Sequence, residues 1–132
     1  MTWNDGQPYT ADDIVFSQNL LLQNPALNGA AAVQRDIASV TALDSQTVLF
    51  TLTNAIPRFH YRFIAGIIED GVRVVPKHIW ENEDPGTFTF NPPVSTGAYT
   101  LKESSSSKLY YLWGKEPQLL EQGGARPSAA GT

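Results

Sequence analysis

The side chains able to do chemistry in this chain are few and scattered. Its two histidines are His60 and His78, and neither sits in an H-E-x-x-H or similar pattern. Zinc needs three or four ligands at suitable spacing, and the chain has no cysteine. No metal site and no thiolate chemistry are expected. Asp12 and Asp13 are adjacent acids, and neighbours on a helix point in different directions. They cannot converge on a sugar as a glycosidase pair does, and duty at a helix start is the expectation. Glu81, Glu83 and Asp84 form an acidic run that lacks the spacing of a calcium loop. Ser17, Ser39, Ser95 and Ser104 to Ser107 offer hydroxyls, none of them in a G-x-S-x-G elbow. Gly97 has no companion glycines of a phosphate loop. With no convergent set of groups the chain reads as a non-enzyme without a cofactor. Its aromatic residues, 11% of the chain, have flat apolar faces that suit a core, a sugar ring or a peptide side chain.

Composition narrows the class further. The 132 residues suffice for one modest domain, and 42% hydrophobic with 17% charged content is an ordinary globular mix. Net charge is −4 and the nine Lys and Arg are scattered, so a nucleic-acid surface is not expected. No apolar run reaches the length of a membrane span. The opening Met1-Thr2-Trp3-Asn4-Asp5 has neither the basic nor the apolar region of a signal peptide.

The elements that must position these side chains begin with "WNDGQPYTADDIVFS", Trp3 to Ser17. Asn4-Asp5-Gly6 is turn chemistry, and Pro8 keeps Gln7 extended. Thr10 reads as an N-cap, with Asp13 three residues on completing a capping box. The helix should run from Ala11 to about Gln23 and stop at Asn24-Pro25, with Ile14, Val15, Leu21 and Leu22 as its buried face. Residues 25–32 read as a loop, with a short helical turn near Val33. Residues 37–42 and 47–53 alternate as strands and should form an antiparallel hairpin. Val48, Phe50 and Leu52 should share one face of it. Pro57 should open a second helix carrying Phe59, Phe63 and Ile67, closed by Glu69-Asp70-Gly71. Residues 72–75 read as extended and 76–80 as a short helix begun by Pro76. Residues 97–102 and 108–113 read as two further strands joined by Ser104 to Ser107. "EQGGARPSAAGT" reads as a disordered tail.

Four of these stretches together resemble a family. Trp3, Asp5, Gly6, Pro8, Thr10-Ala11, Asp13 and Ser17 resemble the W-x-D-G-x-P-x-T-A-x-D-V-x-x-S signature of the family 5 extracellular solute-binding proteins. These are the peptide, nickel and oligosaccharide receptors of ABC importers. "SVTALDSQTVLFTL" resembles the family's V-x-A-x-D-x-x-T-V-x-F-x-L hairpin, "VVPKHIW" its V-P-K-H-I segment with Pro76, and "STGAYTL" its G-T-G-P-Y-x-L strand with Gly97 and Tyr99. Ser95 and Ala98 depart from that last pattern, and Leu119 and Leu120 replace two aromatics of an R-N-P-x-Y-W-like run.

The resemblance implies an α+β fold, a small subdomain of a type II-like, two-lobed periplasmic binding protein. Residues 1–113 would be a partial solute-binding domain and 114–132 a divergent tail. It also implies capture of a peptide or oligosaccharide by cleft closure, delivery to an inner-membrane ABC permease, and a periplasmic or extracellular, in some members lipid-anchored, location. The other reading is a free-standing interaction or scaffold domain derived from that subdomain. Trp3, Asp5, Gly6, Pro8, Thr10, Asp13, Pro76, Gly97 and Tyr99 are then architectural. In some peptide-binding members the loop after the first helix approaches the ligand. Here that loop is "NPALNGAAAV", and Asn28 is its one polar candidate.

Overall fold

A computed structural model describes residues 1–61, 73–89, 92–97, 99–105, 107 and 110–115. They divide into two compact units, Pro8–Thr89 and Met1–Gln7 with Phe90–Thr132. The element order is α1 (Ala11–Gln23), α2 (Ala30–Asp36), β1 (Ile37–Asp44), β2 (Thr47–Leu52), α3 (Lys77–Trp80), β3 (Tyr99–Ser105) and β4 (Tyr110–Lys115). The α+β class and the antiparallel pairing match the expectation from sequence. No helix among the described residues is long and apolar enough to cross a membrane.

In the larger unit, α1 occupies the predicted residues. Thr10 is extended at the N-cap, its N–H donates to Asp13 Oδ2 at 2.9 Å, and the reciprocal arm of a capping box is present. Pro25 disfavours helical backbone at Asn24. Asn24 then closes the helix with its own N–H and its Nδ2, both donating to the Leu20 carbonyl at 3.1 and 2.8 Å. Gln34 on α2 reaches back, and its Nε2 donates to the carbonyls of Leu21 and Leu22 at 3.0 and 3.1 Å. The orphan carbonyls at a helix end are thus met from a second element. α2 is a full seven-residue helix, longer than the single turn expected near Val33.

The β1–β2 hairpin turns at Ser45-Gln46, where Asp44 Oδ1 accepts the Gln46 N–H at 2.8 Å. That bond first, and the Thr47 hydroxyl second, hold the exposed Asp44 carboxyl below the usual carboxylate range. Val48, Phe50 and Leu52 share the inner face, as expected. β1 does not simply alternate. Ile37 and Val40 are both buried although they differ in parity. A bulge between Ile37 and Ser39 inserts one extra residue, which shifts the side-chain alternation and turns both inward.

The core of this unit is Val33, Ile37 and Val40. Val15, Leu21, Leu22, Val48, Phe50, Leu52 and Phe59 pack against it, with the Phe50 and Phe59 rings 5.4 Å apart. Pro57 lies in a turn and helical backbone starts at Phe59, two residues later than predicted. Phe63, Ile67 and the Glu69-Asp70-Gly71 end of that predicted helix lie outside the described residues. α3 begins at Lys77, one residue after the predicted start, with Pro76 as its extended N-cap, and Trp80 meets Phe88 edge to face at 4.9 Å.

In the smaller unit, β3 and β4 form a two-stranded antiparallel ribbon. β3 runs on through Ser104 and Ser105, both expected in the link between the strands. The tail beyond Lys115 lies outside the described residues.

Ile37 is 1% exposed and Leu43, on the same strand, 63%. Ile37→Ala should cost about 2–5 kcal/mol, and Leu43→Ala within about 0.5 kcal/mol. Urea midpoints of the two variants check this.

Candidate functional site

The innermost side chains of α1 are not its apolar ones. Asp13, Ser17 and Gln18 are buried together with Ala11, while Ile14, Val15, Leu21 and Leu22 are only half-buried. This corrects the expected buried face. The physical reason lies in what Asp13 and Ser17 hold. Asp13 Oδ1 accepts the Lys77 N–H at 2.9 Å, while its Oδ2 serves Thr10. Ser17 Oγ donates to the Asp13 carbonyl at 2.7 Å and accepts the Val75 N–H at 2.9 Å. Pro76, between them, is fully buried and has no N–H to satisfy. Asp13 and Ser17, one helical turn apart on α1, therefore meet every amide proton of residues 75–77. A buried N–H without a partner costs free energy, and apolar contact cannot supply one.

The hairpin turn is tied to the same helix start, because the Ala11 N–H donates to the Ser45 carbonyl at 2.9 Å. In the smaller unit, Asn4 holds the 95–100 stretch. Its N–H donates to Ser95 O at 2.9 Å, its Oδ1 accepts the Ser95 N–H at 3.2 Å, and its Nδ2 reaches Thr100 Oγ1 at 3.3 Å. The side-chain amide oxygen thus takes the place of a backbone carbonyl in a strand-like exchange. The preceding turn is built as predicted. Asp5 Oδ1 accepts the Gln7 N–H at 3.1 Å, Gly6 has φ 89°, and Trp3, 3% exposed, bonds Gln7 and Gly6 through its backbone.

The remaining candidates do not assemble into a reactive site. Asp12, His60 and His78 are exposed, and no group of three metal-ligating side chains occurs among the described residues. Asp84 Oδ1 caps its own turn by accepting the Gly86 N–H at 2.9 Å. Pro8, Gly97 and Tyr99 are exposed. Asn28 is exposed in the turn before α2. Sequence reasoning missed Asn4 and Gln34, whose roles depend on distant partners. It also missed Gln18, fully buried with neither amide atom hydrogen-bonded among the described residues.

Tyr9 is half-buried, and burial, followed by the nearby Asp13 charge, raises its hydroxyl above the ordinary 10.0. The folded state then favours neutral tyrosine. That contribution is complete below pH 10 and is lost as pH rises through the folded value. Tyr9→Phe should flatten the alkaline fall in melting temperature. Removing the carboxylate in Asp13→Ala leaves two N–H groups unmet, at about 1–3 kcal/mol each. Ser17→Ala leaves one, and Thr10→Ala should cost about 1 kcal/mol. Denaturant titration should rank them in that order.

Comparison with known proteins agrees with this architecture. Residues 1–119 match the family described as bacterial extracellular solute-binding proteins, family 5 Middle. The protein XP55 of Streptomyces lividans is 31% identical over 124 residues, which are 89% of this chain and 21% of XP55. NikZ from Campylobacter jejuni, solved with nickel and L-histidine, superposes at TM-score 0.68 with 30% identity, over 87% of this chain and 22% of NikZ. The periplasmic oligopeptide-binding protein of a Thermotoga maritima ABC transporter superposes at 0.65 with 27% identity, over 80% of this chain and 19% of its own. Bound to mannohexaose, that protein shares the fold at TM-score 0.72. The chain spans about a fifth of the length of these relatives. It belongs to the family 5 bacterial extracellular solute-binding proteins and matches the portion described as the family's Middle.

Proposed function

We propose that this chain is one part of a non-catalytic receptor that captures a small solute, a peptide or an oligosaccharide, for an ABC importer. The observation that carries the reading is the family match over residues 1–119. In the full receptor the solute sits between two lobes, a hinge closes, and the closed form docks on an inner-membrane permease. The site of action is periplasmic or extracellular, on a soluble or lipid-anchored protein. The part contributed here is architectural. The buried polar groups Asp13 and Ser17 are occupied by backbone of the same chain, which leaves Asn28 as the candidate for solute contact. NikZ was solved with a nickel–histidine complex and the Thermotoga protein with a mannohexaose, so both small chelates and sugars suit relatives of this fold.

A cleft formed by two lobes needs groups from both. Calorimetry of this chain against dipeptides, oligopeptides and cello-oligosaccharides should show no Kd tighter than about 1 mM. A micromolar ligand would overturn the two-lobe reading.

A further inference from the structure

We propose that Asn28-Gly29 is a self-modification site, at which the loop between α1 and α2 converts asparagine to aspartate and isoaspartate through a cyclic imide. Leu27 to Ala30 form a tight turn, closed by the Ala30 N–H donating to the Leu27 carbonyl at 3.1 Å. Gly29 has φ 88° and ψ −12°, the values of the third residue in a type II turn. Closing such a turn uses the N–H of its fourth residue and leaves that of the third outside. No described residue accepts the Gly29 N–H. Asn28 and Gly29 are both exposed, and nothing lies within 4 Å of the position a Gly29 Cβ would take. The attacking nitrogen, the amide it attacks and the route for water are therefore open together.

The step balances without an oxidant or reductant. Hydroxide takes the Gly29 amide proton, and the nitrogen attacks Asn28 Cγ. A new C–N bond closes the imide ring, and the side-chain nitrogen leaves as ammonia after taking a proton from solvent. Water then adds to one of the two imide carbonyls and breaks one C–N bond. One product is aspartate. The other is isoaspartate, in which the chain runs through the former side chain and gains a methylene. Either product places a carboxylate on the loop's one polar candidate for solute contact and moves the formal net charge from −4 to −5.

Asn28 is the only asparagine in the chain followed by glycine. Asn24 and Asn91 precede proline, which has no amide proton to give up. Asn4 has its amide bonded to Ser95 and Thr100. Glu83, after Asn82, donates its N–H to the Trp80 carbonyl. Asn54 is exposed but followed by Ala55, whose side chain crowds the attack.

The test is to incubate the whole chain at mildly alkaline pH, digest it, and follow each asparagine by peptide mass and by isoaspartate-specific enzymatic methylation. Asn28 should convert about tenfold faster than Asn54, a barrier difference of about 1.4 kcal/mol, and isoaspartate should be among its products. Gly29→Ala should slow the reaction. Because alanine is strained at this φ, Asn28→Gln serves as the second variant and should abolish the methylation signal of the peptide that carries residue 28, the Asp5-Gly6 and Asp70-Gly71 peptides being scored separately. Conversion at Asn28 no faster than at Asn54 would overturn the proposal. So would a product that is aspartate alone, or a methylation signal in the residue-28 peptide that survives Asn28→Gln.

Discussion

One carboxylate organises the larger unit. Asp13 sits inside the protein with each oxygen on a backbone N–H, one at the start of its own helix and one at the start of α3. Burying a carboxylate is costly unless its lone pairs are met, and two charge-assisted bonds to amides meet them here. The reward is directional. Apolar packing favours contact between α1 and the rest of the unit, but it fixes no register. The pair Asp13 and Ser17 does, because the amides of residues 75 and 77 bond two different acceptors a fixed helical turn apart. A proline between them removes the one amide that the pair could not serve.

The stretches of sequence that together resemble one family are joined by hydrogen bonds within each unit. The helix-start motif and the V-P-K-H-I motif are the two sides of this bond set. The hairpin motif joins through the Ser45 carbonyl on the Ala11 N–H. The turn before the helix answers the S-T-G-A-Y motif through Asn4. Each motif carries donors or acceptors that another motif completes. Of the residues read as architectural, Trp3, Asp5, Thr10 and Asp13 are hydrogen-bonded and Pro76 is buried, while Pro8, Gly97 and Tyr99 are exposed, as are His60, His78 and Asp12. That distribution suits a subdomain of a binding protein.

Local rules in the sequence were enough for the elements. Thr10, Asp13 and Asn24-Pro25 bound α1 to the residue, and the alternation of Val48, Phe50 and Leu52 set the inner face of β2. Where the reading failed, a distant partner decided. Apolar spacing on α1 pointed to Ile14 and Val15, yet the deepest positions went to polar residues, because the amides of residues 75–77 lie some sixty positions away in the chain. Strand alternation in β1 concealed a bulge that only the pairing with β2 reveals. Asn4 occupies a position that the family signature leaves open, so no motif marked it. Asn28, by contrast, was singled out as a loop residue for solute contact, and its neighbour's backbone gives it a second chemistry.

The central claim is that Asp13 and Ser17 hold residues 75–77 as part of one cooperative unit with α1. Native-state hydrogen exchange at the Val75 and Lys77 amides tests it most directly. If the claim holds, both amides exchange slowly, through the same opening that exposes the interior amides of α1. Exchange at the rate of an unstructured chain, while α1 stays protected, would contradict it.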